Sequence, residues 1–236
     1  MFARIRDYAR LVKFSHTVFA MPFALAAFFH AVQDMDGGFP WVLLLKVLLC
    51  MVLARNAAMA FNRYADRRID ALNPRTRRRE IPAGVILARS ALIFTIVNAT
   101  LFIAVAAWIN PLAFKLSPVA LLVVLGYTLT KRFTWLCHIA IGLALSIVPM
   151  AAYIAVTGHF SGGMIWLSAL VLTWVAGFDI IYSLQDIAFD RANGVFSIPV
   201  RLGAWGALGM SAFLHLLTVW FTLKIGFVVD GRFFYR

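Results

Sequence analysis

The stretch AFNRYADRRIDALNPRTRRREIPAG, residues 60–84, decides the fold class because it joins an almost wholly apolar run to a strongly charged one. The preceding segment, WVLLLKVLLCMVLARNAAMA at 41–60, has the roughly 20 residues that a helix needs to cross the hydrocarbon core of a bilayer. If the helix continues, Asn62, Asp66 and Asp70 follow at intervals of four and share one face. The stretch therefore predicts a membrane-spanning helix that ends in a polar stripe.

The composition of the whole chain agrees with a membrane protein. Of its 236 residues 63% are hydrophobic and only 14% are charged, which is too apolar for a soluble domain of this size. We predict an all-α fold, a polytopic transmembrane helical bundle with about seven spans that forms a single domain over residues 1–236. The predicted spans lie at about 15–33, 40–61, 91–109, 112–130, 134–156, 163–185 and 205–229.

The basic residues predict the orientation of this bundle. With a cytoplasmic N-terminus, sixteen of the 22 Lys and Arg fall on the cytoplasmic side, as the positive-inside rule requires. Two long connections, at about 62–90 and 186–204, lie on that side and form predicted cap loops. We expect an integral protein of a bacterial-type inner (plasma) membrane. The net charge of +12 then indicates contact with anionic lipid or substrate, and the predicted spans exclude a nucleic-acid binder.

A second acidic stripe occurs in GFDIIYSLQDIAFDRANG, residues 177–194. On a continuous helix, Asp179, Tyr182, Asp186 and Asp190 would share one face. One such stripe is compatible with a solvated helix end that is paired with nearby arginines. Two stripes, both cytoplasmic and both followed by an Ile-Pro pair, favour a site that holds a cation, because like-charged carboxylates near hydrocarbon are costly.

Oxygen ligands of this kind suit Mg²⁺, which typically binds through one or two carboxylates together with substrate phosphates. The chemistry therefore implies a diphosphate substrate, and the cytoplasmic basic residues could bind its oxygens. Cys50 and Cys137 stand alone without metal-ligand spacing, and we interpret the five scattered histidines as packing or interfacial residues. Arg55 stands inside the second span, where an arginine is a candidate functional residue, although a salt bridge to an aspartate is the alternative.

These motifs resemble the two aspartate-rich signatures of UbiA-type membrane prenyltransferases, and within that family they look closest to 4-hydroxybenzoate polyprenyltransferases. The first signature, N-x-x-x-D-x-x-x-D, falls on residues 62–70, and the second, D-x-x-Y-x-x-x-D-x-x-x-D, falls on residues 179–190. LVKFSHTVFAMPFAL at 11–25 and YTLTKRFTWLCHIAIGLALSIVP at 127–149 are also similar to the family. The resemblance covers about residues 8–204.

The resemblance implies Mg²⁺-dependent transfer of a polyprenyl group from its diphosphate to an aromatic acceptor, with 4-hydroxybenzoate as the first candidate, in ubiquinone or menaquinone synthesis. The implied catalytic residues are Asp66, Asp70, Asp186 and Asp190, and the implied metal ligands are Asn62, Asp66, Asp186 and Asp190. Arg79, Lys131 and Arg132 would bind phosphate oxygens. Arg55 would anchor the carboxylate of a benzoate-like acceptor, and Asp179 and Tyr182 would orient or deprotonate its phenol.

One departure from the family leaves alternatives open. The family has nine transmembrane helices and we count seven, so we expect the last two to be missing and keep a truncated, inactive member as an alternative. A transporter that uses the same acidic residues is another, although it would place them near the bilayer midplane. The D-G-x-x-A-R pattern of CDP-alcohol phosphotransferases is absent. Prenyl chain length, the exact acceptor and the oligomeric state are not fixed by the sequence.

Overall fold

The computed structural model describes residues 2–12, 21–33 and 38–233, with side chains over 6–12, 21–33 and 38–226. All regular elements within these ranges are helices. The longer ones are α1 (Phe2–Leu11), α2 (Met21–Val32), α3 (Trp41–Leu72), α4 (Ala88–Ile109), α5 (Pro111–Thr130), α6 (Cys137–Thr157) and α7 (Gly162–Ser183). A 3-10 turn (Leu184–Asp186), α8 (Ile187–Ala192) and α9 (Ile198–Phe233) follow.

Six helical segments of the described residues are long and apolar enough to cross a membrane, which confirms the predicted all-α polytopic fold. They correspond to six of the seven predicted spans. The span predicted at 15–33 is represented by α2, a shorter apolar helix, and the part of that span at 15–20 lies outside the described residues. α3 continues eleven residues beyond the predicted end of its apolar span, so the first acidic stripe is helical throughout.

The chain divides into two compact units, of which the first comprises residues 1–22 and 39–128. Its helices α3 and α4 pack along each other, and α1 lies against α3. A buried cluster of Leu11, Ala60, Ile86 and Ala91 joins α1, α3, the loop after α3 and the start of α4. The ring of Tyr8 packs against that of Phe94, with centroids 4.9 Å apart. These contacts hold the polar end of α3 against its own loop.

The second unit comprises residues 23–38 and 129–236 and is built around α7, which packs against both α6 and α9. Small residues allow the close approach, as they do in helix pairs within lipid. A Cβ at Gly142 would come within 2.5 Å of the Leu172 carbonyl oxygen, and one at Gly177 would meet the His215 ring at 2.6 Å. α9 bends at Gly203, whose φ of 74° is a left-handed conformation that favours glycine.

Candidate functional site

The first acidic motif lies in the last three turns of α3, within the first unit. Asp66 is only 1% exposed, and the Asn62 amide donates to its Oδ2 at 3.2 Å. The same amide nitrogen lies 3.4 Å from Thr128 Oγ1 on α5. Because both contacts use the nitrogen of Asn62, its carbonyl oxygen is directed elsewhere and can act as a ligand. The pair therefore presents a buried carboxylate beside an amide oxygen.

Asp70 has a different environment from Asp66, although it lies one turn further along the same face. Arg79 Nη1 donates to both carboxylate oxygens, at 2.8 Å to Oδ1 and 2.9 Å to Oδ2. The Asp70 side chain is 7% exposed and that of Arg79 is 22% exposed. The interaction uses one guanidinium nitrogen, so the other N–H groups of Arg79 are directed away from this ion pair.

The loop that follows α3, residues 73–87, is a series of hydrogen-bonded turns. Asn73 begins it by accepting the Arg75 N–H on its side-chain oxygen at 2.9 Å, and Thr76 Oγ1 donates to the Asp70 carbonyl at 3.1 Å. Gly84 has a φ of 74° and allows the chain to turn back towards α4. The loop thereby brings Arg79 back onto the motif that precedes it in the sequence.

Arg55 lies in the apolar part of α3, seven residues before Asn62. Its Nε is buried, and no acceptor among the described residues lies within hydrogen-bonding distance of that atom. A buried donor without a partner is costly, and an arginine inside a span carries a charge in addition. This environment fits a polar ligand better than it fits the alternative of a complete salt bridge to an aspartate.

The second acidic motif does not lie on one continuous helix. α7 ends at Ser183, a 3-10 turn spans Leu184–Asp186, and α8 carries Asp190. Two side chains compete for the carbonyl oxygens that a regular helix would use: Ser183 Oγ donates to Ile180 O at 2.8 Å, and Gln185 Nε2 donates to Tyr182 O at 2.7 Å. Such side-chain bonds to the preceding turn bend helices. Asp186 and Asp190 are both partly buried beyond this bend.

The two upstream members of the second motif have separate contacts. Asp179 Oδ2 lies 2.7 Å from Nδ1 of His138 on α6. Tyr182 is 45% exposed, and its ring stacks on that of Phe178 with centroids 6.5 Å apart. The predicted single stripe is therefore divided among α7, which carries Asp179 and Tyr182, the 3-10 turn, which carries Asp186, and α8, which carries Asp190.

Lys131 and Arg132 occupy the tight turn between α5 and α6, in the second unit. The Phe196 N–H donates to the Lys131 carbonyl at 2.9 Å, and Cys137 Sγ lies 3.4 Å from the Phe196 carbonyl. The turn is thus attached to the segment that follows Asp190. Lys131 is partly buried and Arg132 is exposed.

Within each unit the structure brings predicted residues together, and it adds two that sequence reasoning missed. Asn62, Asp66, Asp70 and Arg79 belong to the first unit, and Asp179, Tyr182, Asp186, Asp190, Lys131 and Arg132 belong to the second. Thr128 had no sequence signal. His138 did have a sequence signal, because an ionisable residue within a span is a functional candidate. The same rule singles out Arg55.

The donor atoms in both motifs fit a hard divalent cation, because they are carboxylate and amide oxygens. No group of three or more His, Cys, Asp or Glu side chains in the described part of the chain is arranged to hold a metal. That arrangement is not needed for Mg²⁺, which keeps several waters and shares phosphate oxygens with its substrate. Asn62 and Asp66 supply two such oxygens from one helix face.

Six helical segments of the described residues are long and apolar enough to span a membrane, and two of them end in carboxylate motifs. These features define an integral membrane protein of the helical-bundle class. Comparison with known proteins is more specific, because the model of the UbiA prenyltransferase family matches residues 20–235. The chain therefore belongs to the UbiA prenyltransferase family. It is 34% identical to the apo structure of a UbiA homolog from Aeropyrum pernix K1, with a TM-score of 0.83 over 92% of this chain and 80% of that one.

Two further relatives carry more specific names. A 4-hydroxybenzoate octaprenyltransferase of Shewanella piezotolerans is 32% identical over 179 residues, which are 75% of this chain and 62% of the relative. The chain thus spans less than two thirds of that relative's length. A UbiA homolog from Archaeoglobus fulgidus, solved with GPP and Mg²⁺ bound, shares the fold at 22% identity and a TM-score of 0.75, over 94% of this chain and 78% of that one.

We predict that the Asp70–Arg79 pair holds the loop against α3. Arg79→Gln should lower the free energy of unfolding by about 2–3 kcal/mol, because it removes the cation that is hydrogen-bonded to the buried Asp70 carboxylate. Asp70→Asn combined with Arg79→Gln should recover most of that loss. The measurement is thermal unfolding of the purified protein in detergent.

The control is Arg78→Gln, which changes an exposed arginine of the same loop and should leave the unfolding temperature unchanged. Equal losses in Arg78→Gln and Arg79→Gln, or a double variant less stable than Arg79→Gln, would contradict the proposed role of this ion pair.

Proposed function

We propose that this chain transfers a polyprenyl group from a polyprenyl diphosphate to an aromatic acceptor in a Mg²⁺-dependent reaction, with 4-hydroxybenzoate as the acceptor, in quinone biosynthesis. The observation that carries the proposal is the buried Asp66 carboxylate, which the amide of Asn62 contacts at the end of a membrane-spanning helix. Family membership and the relative named 4-hydroxybenzoate octaprenyltransferase support the reaction class and the acceptor. The homolog solved with GPP and Mg²⁺ supports the choice of substrate and metal.

In this proposal Asn62 and Asp66 of the first motif, with Asp186 and Asp190 of the second, hold the metal and thereby the diphosphate. The bound Mg²⁺ would neutralise the negative charge of the leaving diphosphate. Arg79, Lys131 and Arg132 contribute N–H donors to phosphate oxygens, and in Arg79 these would be N–H groups other than those that bind Asp70. Asp70 positions Arg79 for that role. In this proposal the chain works as a single domain.

The reaction itself breaks the allylic carbon–oxygen bond, and the bonding electron pair leaves with the diphosphate. The allylic carbon then bonds to a ring carbon of the acceptor, and that ring carbon loses its proton to restore aromaticity. The allylic carbocation that forms when this bond breaks must be shielded from water. In the proposal, the loop at 73–87 and the segment 191–204 provide the shield as cap loops, and the isoprenoid tail lies among apolar helix walls.

The acceptor would be recognised by its two polar ends. Arg55 binds the carboxylate, since its buried Nε has no acceptor among the described residues. Asp179 and Tyr182 orient the phenol. The positive-inside pattern supports an orientation with the N-terminus and cap loops in the cytoplasm, and the bacterial relatives support an inner membrane.

A transporter is the alternative in a different class. The position of Asp66 argues against it, because Asp66 lies in the last turns of a 32-residue helix and not at its middle. Transport sites are expected near the bilayer midplane, typically at broken helices. An inactive member of the family would keep the fold and lose the reaction, which the following experiment tests.

We expect membranes that contain this chain to form prenylated 4-hydroxybenzoate from geranyl diphosphate and Mg²⁺, detected by mass spectrometry. Asp66→Ala and Asp190→Ala should each lower the rate at least about 100-fold, because each removes an oxygen ligand from the metal–diphosphate complex. A chelator should abolish the product. The matched control is Asp7→Ala, an aspartate of α1 outside both motifs, which should retain the wild-type rate.

Diphosphate release without prenylated product would show a live enzyme with a different acceptor. Absence of both product and diphosphate from the wild-type chain would contradict the proposed activity. A product that persists in the chelator and in both aspartate variants would contradict the proposed site.

We expect Arg55→Met to raise the KM for 4-hydroxybenzoate about tenfold or more, because it removes the cation that pairs with the acceptor carboxylate. The KM for geranyl diphosphate should change little. The matched test substrate is 4-hydroxybenzaldehyde, which lacks the carboxylate and should bind wild type and Arg55→Met equally. An equal rise in KM for both substrates would show that Arg55 supports the fold and does not bind the acceptor.

A further inference from the structure

His138 is a titratable residue that the proposed reaction has not used. It lies in the first turn of the membrane-spanning helix α6 and is 3% exposed. Its Nδ1 is 2.7 Å from Asp179 Oδ2, and its Nε2 is 3.5 Å from Ser183 Oγ. Because an ionised carboxylate only accepts hydrogen bonds, Nδ1 carries the proton and donates a hydrogen bond to Asp179. The contact of His138 with the Asp179 carboxylate is thus short, and its contact with the Ser183 hydroxyl is long.

The two side chains of this pair differ in accessibility. His138 has 4% of its side-chain surface exposed, whereas Asp179 has 33%. One carboxylate oxygen, Oδ2, therefore contacts the histidine, while part of the Asp179 side chain is accessible to another molecule.

The helices α6 and α7 do not need the His138–Asp179 pair to stay together, because they already pack closely. Gly142 lets α6 approach the Leu172 carbonyl of α7, and Ala176 lies beside the same glycine. Burial of an imidazole in a span has a cost that an apolar side chain would avoid. The feature that only His138 provides is a fixed direction for the Asp179 carboxylate.

We propose that His138 is a positioning residue that orients Asp179, so that its second carboxylate oxygen, Oδ1, accepts a hydrogen bond from the ring hydroxyl of the aromatic acceptor. The inference rests on the proposed function, because it names the acceptor as a hydroxylated ring. The site would therefore discriminate hydroxylated from unsubstituted benzoates, and the discrimination would depend on His138. No bond to the acceptor is made or broken by His138 itself.

The test compares the binding of 4-hydroxybenzoate and of benzoate to the purified protein, in the presence of Mg²⁺ and a non-ionising thio analogue of geranyl diphosphate. His138→Leu removes the donor. His138→Asn keeps one, because the side-chain amide nitrogen of Asn takes the place of Nδ1. His159→Leu, which changes a histidine exposed in the turn after α6, is the control.

We expect wild type and His159→Leu to prefer 4-hydroxybenzoate over benzoate by about tenfold or more, the effect of one hydrogen bond to a charged group. His138→Leu should lose that preference by weakening 4-hydroxybenzoate binding alone, and His138→Asn should restore most of it. Release of diphosphate from geranyl diphosphate without acceptor should be unchanged in both His138 variants, because that step does not use Asp179.

A preference for 4-hydroxybenzoate that survives His138→Leu overturns the inference, as does wild-type binding without any preference. A His138→Leu protein that also loses diphosphate release indicates a structural role and overturns it too. Failure of the proposed function gives a different result. The wild-type chain then releases no diphosphate, while the binding measurements still show whether the preference for 4-hydroxybenzoate depends on His138.

Discussion

The structure depends on one electrostatic constraint, the presence of carboxylates at the ends of helices that are otherwise built for hydrocarbon. Asp66 is 1% exposed, and a charge in that position is stable only if hydrogen bonds or cations compensate for lost hydration. Asn62 and the buried Arg63 supply part of that compensation, and in the proposed reaction Asp66 also holds a divalent cation. Such carboxylates need suitable surroundings. These can be understood as the loop after α3, the 3-10 turn after α7 and the basic residues around both.

In the first motif, the charges of two neighbouring aspartates are compensated in different ways. Asp70 receives its cation from the protein through Arg79, and this contact closes the loop onto the helix. Asp66, one turn earlier, has an amide neighbour and is the residue we assign to the metal. In the second unit, the bend between α7 and α8 separates Asp179 from Asp186 and Asp190. In the proposed function, this division lets one motif serve both metal and acceptor.

The helical class and the positions of the spans could be predicted from the sequence because hydrophobic length is a local property. The spacing of Asn62, Asp66 and Asp70 was equally readable, since α3 is regular through all three. The break at Leu184–Asp186 was not, because no periodicity reveals the bonds that Ser183 and Gln185 make to backbone carbonyls there. The pairing of His138 with Asp179 joins residues 41 positions apart, and it depends on the packing of α6 against α7.

The measurement that tests this account most directly is the affinity of the purified protein for a non-ionising thio analogue of geranyl diphosphate, titrated with and without Mg²⁺. It separates binding from turnover and from the choice of acceptor. The account predicts binding only when Mg²⁺ is present, with a loss of about 100-fold in Asp66→Asn and in Asp190→Asn. Equal affinity in a chelator, or wild-type affinity in both variants, would contradict the claim that these carboxylates hold the diphosphate through a metal.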